Sequence, residues 1–418
     1  MMTNYYAVID LKSFYASVEC VVRGLDPFRT DLVVADPSRG RGAICLAITP
    51  AMKEKGVRNR CRVYEIPKNI NYFTAPPRMK LYMQYSADIY SIYCKFISPE
   101  DIYVYSIDEC FLDFTPYLGT YRKTPKELAV MIMDEIYERT GICATAGIGT
   151  NMFLAKVALD ITAKHVPDHI GYLDESEFMC TIQRHRPITD IWNIGSGIAK
   201  RLERCGVYDL KGVADMDKKQ LFRMFGMNAQ FLIDHAVGQE PCTMQDIKSY
   251  KSKSRSLSNS QILFEDYSFR DARLVMREMV DGLILEMIEK HLVTDSISLF
   301  IGYSKDVIKP VVRTMKIGEY TNSFNILSEH FLSLYNTSVD SSYPVRRIGI
   351  ALCDLEDEEC RSFTFFTDTE EEDKEERRQR AIIEIKSRYG KNAILRGTSF
   401  EDKATARLRN TLVGGHRG

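Results

Sequence analysis

Two carboxylates, Asp108 and Glu109, stand side by side in an otherwise strand-like run, "VYSIDECFLD" (104–113). On one continuous strand neighbouring side chains point to opposite faces, so this pair could not serve one site. A hairpin removes the conflict: "IYVYS" runs up, the chain turns near Ile107 to Glu109, and "CFLDF" runs down. Both acids then sit at a turn. A third acid, Asp10, ends the strand-like "YYAVID". If that strand pairs beside the hairpin, three carboxylates meet at one end of a sheet. Oxygen ligands clustered in this way suit two Mg²⁺ ions around a phosphoryl-transfer centre, and they repel one another unless cations are bound. Acids at strand ends and turns can also be merely solvated, because Asp is a favoured turn residue for ordinary reasons. Spacing alone leaves both readings open.

The elements that would hold these acids interleave. "YYAVIDL" (5–11) and "DLVVAD" (31–36) read as strands, the second running into the turn-rich "PSRGRG". From Thr124 to Gly141 the helix signals are complete: a capping Thr124, Pro125 at the first helical position, apolar residues at 128, 131, 132 and 136, and a closing glycine. Strand-like "ICATAGIG" and helix-like "NMFLAKVALDITAK" follow, so the first 175 residues predict an α/β or α+β domain. Between about 176 and 242 the strands vanish, and short helical runs are punctuated by "NIGSG" (193–197) and "MFGMN" (224–228). A small helical domain is expected there. The polar "QDIKSYKSKSRSLSNSQ" (245–261) reads as linker or edge strand, and helical and strand-like runs alternate beyond it in a further α+β domain that ends near 353.

Composition narrows the class. The chain has 418 residues, 45% of them hydrophobic, which suits two to four globular domains with real cores. "MMTNYYAVID" has neither the basic start nor the apolar core of a signal peptide, and no window approaches a membrane span. A cytoplasmic protein is expected, with no membrane partner. The 11 cysteines include no C-x-x-C pair, which argues for reduced thiols over a zinc ribbon or a disulfide framework. His165 and His169 in "HVPDH" are spaced like ligands, but Pro167 intervenes and no third ligand stands nearby. The net charge of −1 hides a dipolar C-terminal segment: 12 acids against 2 bases over 354–376, then 11 bases against 3 acids over 377–418.

Four motifs, in this order, resemble the Y-family translesion DNA polymerases, and most closely their UmuC-like branch of Gram-positive type: "VIDLKSFYASVE" (8–19), "YSIDECFLD" (105–113), "GIGTNMFLAKVALDITAK" (147–164) and "NIGSGIAKRLERCGV" (193–207). The likeness covers roughly residues 4 to 353. It implies a multidomain α+β right-hand polymerase, with palm at 1–12 and 76–175, fingers at 13–75 and a helical thumb with a helix-hairpin-helix at 176–242. A linker at 243–250, an α+β little finger at 251–356 and a charged C-terminal tail at 357–418 would follow.

The resemblance further implies that Asp10, Asp108 and Glu109, with the Leu11 carbonyl, hold two Mg²⁺ ions, and that the chain copies primer-template DNA past damaged bases from deoxynucleoside triphosphates. Phe14, Tyr15, Thr49, Lys53 and Lys164 would face the nucleotide, Tyr15 at the steric-gate position. Departures stand beside these matches. Pro50 replaces a family Tyr and has no donor, Lys53 replaces an Arg, and Lys12 stands where many relatives carry Asp or Asn. Gly195 and Gly197 would let backbone amides approach a DNA phosphate. Lys251, Lys253 and Arg255 alternate with serines in "KSKSRS", so on a strand they would form one phosphate-tracking face. Phe363, Phe365 and Phe366 in "SFTFF" resemble a peptide that binds the bacterial sliding clamp, with Ser362 in place of the usual Gln. A monomer is expected. Two other readings remain: a polymerase-like scaffold with weak or no catalysis, and a palm-type nucleotide cyclase, which would not need the thumb, the basic strand or the clamp peptide.

Overall fold

The computed structural model describes residues 3–252, 255–304, 307–360, 362 and 369–417. The chain divides into two compact units, Met1–Tyr250 and Lys251–Gly418.

The first unit begins with β1 (Tyr6–Leu11). A small sheet follows, built from β2 (Leu32–Val34), β3 (Ala47–Ile48) and β4 (Phe73–Ala75) around a core that includes Val33, Cys45, Ile48 and Met52. The chain then returns to β1 with β5 (Ile102–Val104), β6 (Glu109–Asp113), β7 (Ala144–Gly149) and β8 (Ile170–Leu173), in the sheet order β5-β6-β1-β7-β8. Helices cover both faces. Ile9, Leu11, Leu112 and Ile148 are buried with the helices Met79–Phe96 and Pro125–Thr140, while Tyr6, Val8 and Phe111 pack on Met152, Ala155 and Leu159. Double coverage explains why β1 is apolar almost throughout instead of alternating.

Local chemistry places the helices. Thr124 and Glu127 form a reciprocal capping box, Pro125 opens the helix, and Gly141 closes it at φ 68°. The Met152–Val157 helix lies so close to β7 that a methyl group on Gly147 or Gly149 would meet the backbone of Ala155 or Leu159. Asn151 caps that helix, which widens into a π-helical turn at Ala158–Thr162. Between residues 175 and 235 the regular structure is helical throughout, as far as the helix Ala229–His235.

In the second unit a four-stranded sheet runs in the order β11-β10-β12-β9, from β9 (Leu257–Tyr267), β10 (Leu292–Tyr303), β11 (Val311–Thr321) and β12 (Val345–Cys353). Ile297, Leu299, Ile301, Ile348, Ile350 and Leu352 are spaced by two along their strands and are buried with the helices Phe269–Glu289 and Phe324–Ser338. One covered face requires that alternation.

Four expectations are corrected. The hairpin turns earlier than predicted: Tyr105 and Ser106 both donate backbone N–H to the Glu109 carbonyl, so Glu109 already opens the returning strand and only Asp108 lies in the turn. Residues 243–250 are no free linker, because Thr243 caps a helix, Met244–Ser249, whose Met244 and Ile247 pack beside Tyr6 and Phe111. "KSKSRS" does not begin the strand: β9 starts at Leu257, and Arg255 is drawn to Glu356 and Asp357 at 3.6 and 2.9 Å. Lys251 precedes the strand too, and Lys253 lies outside the described residues.

The expected tail is folded. The helix Thr369–Tyr389 packs Ile383 on the second core, Arg396 pairs with Asp281 at 2.9 Å, and Lys403 pairs with Glu265 at 2.5 Å. Buried Glu278 accepts the backbone N–H groups of Thr405 and Ala406 at 2.8 and 3.0 Å. The bases of this segment thus meet acids of the same unit.

Candidate active site

The sheet brings the predicted acids together. Asp10 stands directly opposite Glu109 across the β1–β6 ladder, and the Leu11 N–H donates to the Asp108 carbonyl at 2.9 Å. Asp10 is two residues from Val8 and Glu109 two from Phe111, so both acids share the sheet face covered by the Met152–Val157 helix. From that helix Lys156 reaches down, 2.6 Å from Glu109 and 3.0 Å from Asp160, with its ammonium 5.8 Å from the Tyr105 ring centre. Asp108 accepts the Ser106 hydroxyl at 2.7 Å.

Electrostatics mark this end of the sheet as a place for cations. Burial, then the charges of Asp108 and Glu109, push the Asp10 carboxyl up to about 7 against the pull of Lys156 and Lys164. Burial raises Glu109 as well, with Lys156 opposing it. Lys156 approaches one Glu109 oxygen off the direction that a hydrogen bond needs, and that buried oxygen has no hydrogen-bond donor. Among the described residues no three His, Cys, Asp or Glu side chains already form a metal cage. Hard carboxylate oxygens that repel one another, one of them without a donor, nevertheless fit a small divalent cation that takes one or two carboxylates and completes its shell with substrate phosphates and water.

Cationic side chains gather beside Asp10. Lys53, in the last turn of the short helix Pro50–Glu54, is pushed down first by burial, and it senses the charges of Asp10, Lys12 and Lys164. Lys164 is exposed and stands 3.9 Å from Asp160. Lys12 is held 3.1 Å from one ring nitrogen of His169.

Tyr15 is half-buried and lies on Tyr82, with ring centroids 4.5 Å apart and planes 16° from parallel. The Tyr82 hydroxyl donates to Glu19 at 2.7 Å, and Arg78 grips the same carboxylate at 2.7 and 3.0 Å. Burial alone would raise Glu19, but donors from Arg78, Tyr82 and Arg23 outweigh it and hold the carboxyl low.

Two predicted contacts are redirected. Phe14 is 2% exposed, a core side chain, so only its backbone can face a ligand. Thr49 is fully buried and its hydroxyl accepts the Leu32 N–H at 3.2 Å, which removes it as the substitute for the donor that Pro50 lacks. Gly195 caps the helix Ser196–Glu203, and neither it nor Gly197 has a neighbour within 4 Å of an added methyl, so a partner's backbone could approach both. Phe363, Phe365 and Phe366 lie outside the described residues. Sequence reasoning missed Lys156, Tyr82 and Glu19. The signal for Lys156 was a lone base inside the apolar "FLAKVALD", four residues before Asp160.

The family model described as the impB/mucB/samB family matches residues 9–160, and that of its C-terminal domain matches residues 254–365. The chain belongs to this family, and with it to the UmuC-like Y-family DNA polymerases. It is similar to UvrX of Bacillus subtilis (strain 168), a protein named for UV-damage repair, at 31% identity over 98% of this chain and 96% of the relative. DNA polymerase IV 2 of the same organism is 29% identical, with 98% of each chain covered. Among solved structures, a Y-family DNA polymerase chimera of Dbh and Dpo4 shares the fold at a TM-score of 0.64 and 22% identity, covering 83% of this chain and 98% of its own.

Proposed function

We propose that this chain extends a primer 3′ end on a DNA template, taking deoxynucleoside triphosphates as substrates and continuing past damaged bases with low fidelity. The observation that carries the reading is the convergence of Asp10, Asp108 and Glu109 at one sheet end, where their mutual repulsion calls for cations. Asp10, Asp108 and Glu109, with the Leu11 carbonyl, would hold two Mg²⁺ ions. When bound, such ions activate the attacking hydroxyl and stabilise the leaving pyrophosphate.

The chain's own residues do the rest. Lys53 and Lys164 bind the triphosphate as point charges. Tyr15, braced on Tyr82, lies under the sugar and excludes a 2′-hydroxyl, which selects deoxynucleotides. Gly195 and Gly197 leave a helix N-terminus open to a DNA phosphate. Phe363, Phe365 and Phe366 would dock on the bacterial sliding clamp, and the enzyme would work as a cytoplasmic monomer of the DNA-damage response.

Primer extension with Mg²⁺ on undamaged and abasic templates tests this reading. The wild-type chain is expected to extend both. Loss of a residue that merely supports a metal ligand already costs about 10- to 100-fold, so Asp108→Ala should cost at least about 100-fold. A wild-type chain that binds primer-template DNA but extends nothing would instead be a scaffold.

A further inference from the structure

Lys12 follows Asp10 by two residues, at the point where β1 ends. Its backbone is fixed, since the Lys12 N–H donates to the Cys143 carbonyl at 2.9 Å. Its ammonium is fixed too, 3.1 and 3.4 Å from the two ring nitrogens of His169 and 5.5 Å from the centre of the Phe28 ring. Holding an ammonium on a ring nitrogen and an aromatic face orients it without neutralising it. Among the described residues neither Lys12 nor Lys53 forms an ion pair with a carboxylate. The charge of Lys53 is nevertheless felt together with those of Lys12, Lys164 and Asp10. Three ammonium groups, from the end of β1, the helix Pro50–Glu54 and the turn Ala163–His165, therefore share one neighbourhood.

Like charges brought together are costly unless a polyanion joins them, and a row of one sign beside a cleft draws in the opposite sign. The neighbouring helix start can offer little: Pro50 has no N–H and the Thr49 hydroxyl serves Leu32. We propose that Lys12 binds the triphosphate of the incoming nucleotide, supplying with Lys53 and Lys164 the positive charge that the Pro50 position cannot. This rests on the polymerase reading above and adds to it a ligand contact peculiar to this chain. The base and sugar play no part in it, so the contact is blind to which nucleotide is bound.

The test uses the full chain, stalled on primer-template DNA with a dideoxy-terminated primer, and titrates dNTP and dNMP. A hydrogen bond to a charged group lost in Lys12→Ala should weaken dNTP binding about 10-fold or more. The loss should be alike for all four bases, narrow the gap between dNTP and dNMP, and leave primer-template affinity unchanged. In turnover KM should rise more than kcat falls, and Lys12→Arg should restore most of the affinity. Wild-type dNTP affinity in Lys12→Ala overturns the proposal. If Lys12→Ala does not fold by circular dichroism, Lys12→Gln decides, and wild-type dNTP affinity in that variant overturns the proposal equally. A wild-type chain that neither extends a primer nor captures dNTP overturns the polymerase reading itself, an outcome distinct from a Lys12 variant that behaves like wild type.

Discussion

Asp10 is held at about 7 when its ordinary value is 3.8. A carboxyl whose folded-state pKa is raised binds its proton more tightly folded than unfolded, so the metal-free protein is destabilised as pH climbs between those two values. The cost is absent below about pH 4 and complete above about pH 7. Asp10→Asn should therefore stabilise the protein in chelator by about 2–4 kcal/mol at pH 8. The gain should fade as the pH is lowered and vanish near pH 4. Urea melts of both proteins across that range measure it, and a gain that does not depend on pH would contradict it. Lys156 limits the cost by offsetting part of the repulsion through Glu109. The three acids were readable because an acid in an apolar strand is conspicuous. Lys156 was not, because a single base in a helix-like run looks like ordinary surface until the helix is laid on the sheet.

The closest approach of any element to the site is that of the Met152–Val157 helix to β7, and it depends on missing side chains. Gly149→Ala would place a methyl against the backbone of Leu154 and Ala155, which cannot rotate out of the way. Overpacking of this kind should cost about 1–3 kcal/mol in denaturant unfolding. Activity should fall as well, because the same helix carries Lys156. Which glycines serve packing in this way could not be read along the chain: Gly147 and Gly149 are crowded by a helix, whereas Gly195 and Gly197 stand in open space. The capped helix at Pro125–Thr140 was legible in full, since its cap, first-turn proline and closing glycine are local signals. "KSKSRS" misled for the opposite reason. Alternation suits a strand, but Arg255 meets partners about a hundred residues away, at Glu356 and Asp357.

Across the second unit, the basic C-terminal segment spends its charge internally, on Asp281, Glu265 and Glu358. A run of bases reads as an arm for nucleic acid only while its partners are unseen. Replacing Arg396 and Lys403 by Ala should lower the melting temperature and leave the salt dependence of DNA affinity unchanged, because phosphate contacts set that slope. A slope reduced by about two would show instead that both side chains reach phosphates.

The pairing of Glu278 with Thr405 and Ala406 also sets an order of events during synthesis. Residues up to 250 form a unit whose strands are complete before any later segment is made. The second unit keeps a buried carboxylate unserved until residue 406 has left the ribosome. Units fold in the order in which they emerge. A chain interrupted between these points would carry a finished palm beside an unfinished second unit, and quality control would meet a protein competent in its chemistry but not in its fold.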